Sequence, residues 1–460
     1  MLKTTTTLVL AFLAMLAISF VHTDTLPGTA TIPPAPQRAG DPAAGYQYLL
    51  YGDMVSRGIP LPLFQKTAGG KSADDLNRTG DSQGIPFPYN VVETSDSVKV
   101  VAPTCLACHA EKLNGRLVVG LGNNTVDLTR DQSATFRASD IAMHIRYGKN
   151  SSEWAAYHPL SRGYKAVGPY IKTAVRGPNS ADKIFAALAA YRKADDLTWL
   201  DEPQFEVPKE VAPTDVPAWW LLKKKNALYY NALGRGDFAR LASASGMLTM
   251  TDSAEARHID ERMVDVIAWI RTLEPPPYPF PIDTELAERG QVIFEKNCSK
   301  CHGTYGETPT YPNRVVERAT IGTDPLLAQT YQKYPEYHTW YNNSWYAQGP
   351  HKAELLPTDG YIAPPLDGVW ATAPYLHNGS VPTIEDLLNS AQRPAYWRRT
   401  FDNADYDPAK LGWRYTAETT QKDKETYNTT LPGYGNGGHT FGDKLSAEER
   451  KAVVEYLKTL

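Results

Sequence analysis

The sequence predicts a mainly α-helical chain made of two similar units, each carrying long loop-rich insertions. Three observations lead there. One five-residue pattern occurs twice, as Cys105-Leu106-Ala107-Cys108-His109 and as Cys298-Ser299-Lys300-Cys301-His302. A stretch with apolar groups at helical spacing follows each copy after a similar length of chain, at 266–273 and at 453–460. Both stretches place an aromatic fourth and a base sixth: Trp269 and Arg271 in one, Tyr456 and Lys458 in the other.

With 460 residues the chain is long enough for two or three domains. Its 42% hydrophobic and 21% charged residues are those of a folded protein rather than a disordered one. The 33 glycines and 35 prolines foretell much irregular structure between short elements. A net charge of −4 advertises no basic patch, so no nucleic-acid partner is expected. Four cysteines are too few to staple a chain of this size.

In chain order, residues 1–25 read as a secretory signal: Lys3 precedes the apolar run 8–21. As a helix that run reaches about 21 Å, short of a ~30 Å hydrocarbon core. A periplasmic or secreted protein with no membrane span in its mature chain is therefore expected. Residues 26–45, with Pro27, Pro33, Pro34, Pro36 and Pro42, have the composition of an extended tether. The N-terminal unit is assigned to 46–274, a proline-rich linker to 275–283 and the C-terminal unit to 284–460. In the latter, Leu286, Gly290, Ile293 and Phe294 mark an opening helix, where glycine permits a close crossing. Ser446 and Glu449 form a capping box before the last helix. Before Cys105 no such opening helix is legible.

Cys-x-x-Cys-His is the attachment motif of c-type haem. Two thiols three positions apart reach the two vinyl groups of one porphyrin, and the adjacent histidine arrives beneath the iron. A redox dithiol or a four-cysteine zinc site would need no histidine after each pair. The expectation is two covalently bound haem c groups on Cys105 and Cys108 and on Cys298 and Cys301. His109 and His302 are the proximal ligands, and the fold is a pair of cytochrome c-like haem domains.

The segments 269–277 (WIRTLEPPP), 290–303, 363–383 (APPLDGVWATAPYLHNGSVPT) and 435–442 (GNGGHTFG) resemble the bacterial di-haem cytochrome c peroxidase superfamily, more closely its rubber oxygenase-like branch. The resemblance is most specific from Trp269 to Leu460. It implies a histidine opposite the second iron shortly before the final helix. His439 holds that place, with Gly437 and Gly438 allowing close approach. It also implies a role near the haem edge for His377, in the Pro374-Tyr375-x-His377-x-Gly379 segment. Calcium at the domain interface occurs in peroxidase relatives, although no dedicated ligand loop is seen.

The residues themselves leave the second distal ligand among His338, His351, His377, His439 and the tyrosines, since the last methionine is Met263. For the first haem, Met250, Met247, His258 and His144 are candidates, while the resemblance implies an open face. No catalytic residue is assigned; Glu153, His144 and His158 lie in the stretch after the first motif. Trp219 and Trp220 are candidates for passing electrons between haems. The functional expectation is an oxidoreductase acting on peroxide or dioxygen at the first haem, supplied by an electron donor. The alternative is a non-catalytic electron carrier with both haems six-coordinate. A haem-based sensor is disfavoured by the lack of a signalling segment.

Overall fold

A computed structural model describes residues 28–67 and 74–460. The apolar run assigned to the signal lies outside them. In the C-terminal half, helix Thr284–Asn297 starts at Asp283, whose carboxylate accepts from the Leu286 amide, and it crosses helix Ala447–Leu457. The crossing point is Gly290, where any Cβ would collide with the Ala452 carbonyl. Phe294 and Tyr456 pack beside it, ring centroids 5.3 Å apart. The capping box of Ser446 and Glu449 forms at the start of the last helix.

The same crossing occurs in the N-terminal half. Helix Pro42–Tyr51 lies across helix Ser253–Ile270, and a Cβ on Gly45 would collide with the Asp265 carbonyl. In the sequence repeat Val266 matches Val453, so Asp265 matches Ala452. The two glycines therefore meet the same position of two equivalent helices. Here the opening helix is separated from Cys105 by a three-stranded antiparallel sheet of Ile59–Pro60, Lys99–Pro103 and Tyr89–Glu93.

That sheet delivers the first motif. Strand Lys99–Pro103 runs into Cys105, one short helical turn spans Leu106–His109, and strand Ala110–Leu113 leaves at once. The leaving strand pairs with Arg116–Val119 through Asn114-Gly115, both with positive φ, the Asn-Gly turn that matches hairpin twist. The second motif instead follows helix Thr284–Asn297 and ends at Gly303, whose φ is 81°.

The expected mainly α chain with two cytochrome c-like domains is not what forms. Of the described residues 39% are helical and 14% are in strands or bridges, in several small sheets. The strands are two to five residues long. At that length alternation leaves almost no periodic signal, and the stretches read from sequence as loops are tied together by these short ladders. The two largest cores each draw residues from both sides of 275–281. One joins Met54, Leu188 and Met263 with Tyr337 and Tyr341; the other joins Leu121 and Trp220 with Phe294 and Val453.

The segment after residue 27 is extended and held along its length. Strand Thr29–Thr31 pairs with Arg314–Glu317, and Ile32 is buried. Arg38 forks onto two carboxylates, Asp237 at 2.8 Å and Asp260 at 2.6 Å. Among the described residues no helix is long and apolar enough to cross a membrane.

Candidate functional site

The second motif and the loop before the last helix meet. His302 Nδ1 lies 2.8 Å from the Pro364 carbonyl, a bond that fixes the imidazole and leaves Nε2 free. Across from it stands His439, with ring centroids 6.2 Å apart and planes at 61°. Two imidazoles on opposite sides of one metal, each nitrogen about 2.0 Å from it, place their centroids about 6 Å apart. The spacing fits a shared iron. His439 is also too deeply buried to carry a proton: desolvation first, then His302, lower its pKa to about 3. Its Nδ1 has no protein partner.

The backbone that presents His439 is bent to do so. Gly438 and His439 both have positive φ, 71° and 45°. A Cβ on Gly438 would collide with Gly322, and the His439 amide donates to the Ile321 carbonyl at 2.7 Å. Arg393 locks the loop. Its five N–H groups go to five carbonyls: Asn436 (2.7 Å), Gly438 (2.6 Å), His439 (3.0 Å), Leu387 (2.8 Å) and Asp386 (3.1 Å). A planar guanidinium with fixed donors suits such a task and an ammonium does not. No motif in the sequence singles out Arg393.

His377 lies under the start of the same loop. It is buried, stacks on Tyr361 at 4.1 Å, and desolvation lowers its pKa to about 3. Its neighbour Asn378 donates to the carbonyls of Gly433 and Gly435, and its own carbonyl accepts from the Asp215 amide. His338 is half-buried and His351 exposed; neither is among the ring partners of His302.

Around the first motif the arrangement differs. His109 stacks on Trp219, centroids 4.7 Å apart and planes 19° from parallel. Burial lowers its pKa to about 4, with a hydrogen bond to the Pro217 backbone acting the other way. Met54 sulfur lies 3.3 Å from Cys105 sulfur, and Asn179 approaches Cys108 sulfur at 3.6 Å. Two of the four distal candidates have side-chain partners of their own. Met250 sulfur faces the Tyr346 hydroxyl at 3.8 Å, and His258 meets Asp53 at the surface. Met247 is a core residue whose carbonyl accepts from Arg192. His144 packs on Trp154, which also touches His158, and the His144 Nε2 is buried without a partner; Glu153 stands in the first turn of the helix bearing both Trp154 and His158.

The consecutive indoles Trp219 and Trp220 join the two sites. Trp219 covers His109, while Trp220 is buried in the other core and donates to the Asp367 carbonyl at 2.8 Å. Asp367 lies three residues beyond Pro364, which holds His302. Tyr305 ties the same segment, donating to the His302 carbonyl and accepting from the Leu366 amide. Among the described residues no group of three or more His, Cys, Asp or Glu side chains is gathered as a metal cluster.

Residues 360–398 match a family model described as RoxA-like, cytochrome c-like. The match marks a haem-binding cytochrome segment and supports the resemblance to the rubber oxygenase-like branch there. It contains His377 as well as Pro364 and Arg393, the two residues that hold His302 and the His439 loop. Two Sinorhizobium fredii proteins are similar over longer stretches. Uncharacterized protein y4iJ is 26% identical over 87% of this chain and 87% of its own length. Uncharacterized protein y4iM is 27% identical over 60% of this chain and 71% of its own.

Proposed function

We propose that the chain is an exported di-haem c-type cytochrome that works as an oxidoreductase on peroxide or dioxygen at its first haem. Cys105 and Cys108 would hold one haem c, and Cys298 and Cys301 the other, with His109 and His302 beneath the irons and His439 above the second. A haem with both faces ligated exchanges electrons, and one with an open face also takes up a small oxidant.

The observation that carries this reading is the contrast between the two histidines. His302 looks across at a second imidazole, whereas His109 stacks on an indole, and two of its distal candidates, Met250 and His258, are bonded to Tyr346 and Asp53. His439 stays neutral by burial and is aimed by Arg393. The Pro364 carbonyl orients His302 by accepting a hydrogen bond from its Nδ1–H. Trp219 and Trp220 offer an aromatic bridge from His109 to the segment that holds His302.

Carbon monoxide titration of the reduced protein tests this. Binding of one molecule per two haems, with the second haem spectrum unchanged, is expected. Binding of none favours a carrier with both irons six-coordinate.

A further inference from the structure

Between the first motif and the surface lies a run of oxidisable side chains that the proposed function does not use. Met54 touches Cys105, sulfur to sulfur at 3.3 Å, and the Met54 carbonyl and the Met250 methyl both lie against Gly246. Met250 sulfur accepts from the Tyr346 hydroxyl at 3.8 Å. Tyr346 stacks on Tyr341, centroids 5.2 Å apart; Tyr341 meets Tyr337 at 6.4 Å, and Tyr337 meets Tyr331 at 6.0 Å. All four tyrosines are buried. Tyr331 and Tyr337 then line a cleft with Asp182, Lys183, Tyr334 and Glu336.

Packing alone does not account for these phenols. The Tyr341 hydroxyl is buried without a partner, which costs about 1–3 kcal/mol and which phenylalanine would avoid. At the cleft end, Asp182 Oδ1 is likewise enclosed and unpartnered. We propose that Met250, Tyr346, Tyr341, Tyr337 and Tyr331 form a relay that carries oxidising equivalents from the first haem site to the cleft beside Asp182. The relay rests on the reading of the first motif as a peroxide-reacting haem site.

Each transfer takes one electron from a phenol toward the haem site. A hole on Tyr346 or Tyr341 finds no good acceptor for its proton and passes on. Tyr337 and Tyr331 share the cleft with Asp182, so there the phenolic proton passes through cleft water to the Asp182 carboxylate, and a neutral tyrosyl radical remains. Burial raises the Asp182 pKa to about 6, basic enough to take the proton yet largely ionised at neutral pH. Two such electrons, with two protons taken up from solvent at the haem site, reduce one hydrogen peroxide to two waters. A one-electron organic donor at the cleft, of the phenol or hydroquinone class, then restores one tyrosine at a time by returning an electron, and Asp182 returns that tyrosine's proton before the second transfer.

The test is rapid-freeze electron paramagnetic resonance of the holoprotein mixed with hydrogen peroxide, using ring-deuterated tyrosine to identify the radical. The haem absorbance is followed in parallel. The wild type is expected to give a tyrosyl signal that narrows on deuteration. Tyr346→Phe and Tyr341→Phe, with normal haem content and the same haem response, are expected to lose it. Undiminished tyrosyl signal in both variants would overturn the relay. A wild-type haem spectrum that ignores peroxide would overturn the parent reading and the relay with it.

Discussion

The rings of His302 and His439 stand 6.2 Å apart, centroid to centroid, with Pro364 fixing one and Arg393 the backbone of the other. Burial lowers the pKa of both imidazoles, that of His439 to about 3, and their pairing at that distance supports the proposed second haem site. Replacing His439 by alanine should leave the thioether-bound haem in place and convert the second iron from low-spin to high-spin or water-ligated. Optical and magnetic spectra of the His439→Ala variant check this. An unchanged low-spin signal removes His439 from the site.

Arg393 is the second test of that geometry. Lysine in its place keeps the charge but cannot serve five carbonyls in a plane. Arg393→Lys should cost about 2–3 kcal/mol of stability, the sum of several weakened charge-assisted bonds. It should also raise the high-spin share at the second haem, because the loop bearing His439 loosens. Denaturant unfolding and the spin-state ratio measure the two effects separately.

Trp220 donates to the Asp367 carbonyl, and on the proposed function it helps connect the two haem sites. Trp220→Phe keeps most of the buried ring and removes the donor. Transfer of an electron between the haems, followed after a light pulse in the half-reduced protein, should slow while both haem spectra stay as they were. An unchanged rate would assign Trp220 to packing alone.

His377 predicts an acid sensitivity. Its pKa falls from about 6.5 unfolded to about 3 when buried, so the unfolded chain binds its proton first. Stability is therefore full above the unfolded value and declines as pH falls toward the folded one. One pH unit below the unfolded value the loss is about 1.4 kcal/mol from this group. His377→Phe keeps a ring on Tyr361 and should remove that part of the decline between pH 7.5 and 5.5 in urea unfolding. A decline as steep as that of the wild type would contradict the burial argument.

The features legible in the sequence were those with short-range chemistry behind them. The two motifs, the Ser446–Glu449 cap and the Gly290 crossing all follow from local spacing. The N-terminal opening helix was hidden because a sheet is inserted between Tyr51 and Cys105, so no apolar pattern leads into the motif. The mainly α expectation failed for a related reason. Strands as short as Ile59–Pro60 or Tyr406–Asp407 exist through their partners and not through their own pattern. Arg393 was illegible because its role depends on five carbonyls brought together only by folding, three of them from residues more than forty positions away. Likewise, Trp219 and Trp220 gained a specific meaning only when their two rings entered different cores.

The most direct test is electron paramagnetic resonance of the purified holoprotein, fully oxidised and again after one electron per molecule. A low-spin signal from a bis-histidine haem, together with a high-spin haem in one of the two states, is the predicted result. Two low-spin haems in both states would mean that no iron has a vacant face. The protein would then be an electron carrier rather than an enzyme acting on peroxide or dioxygen.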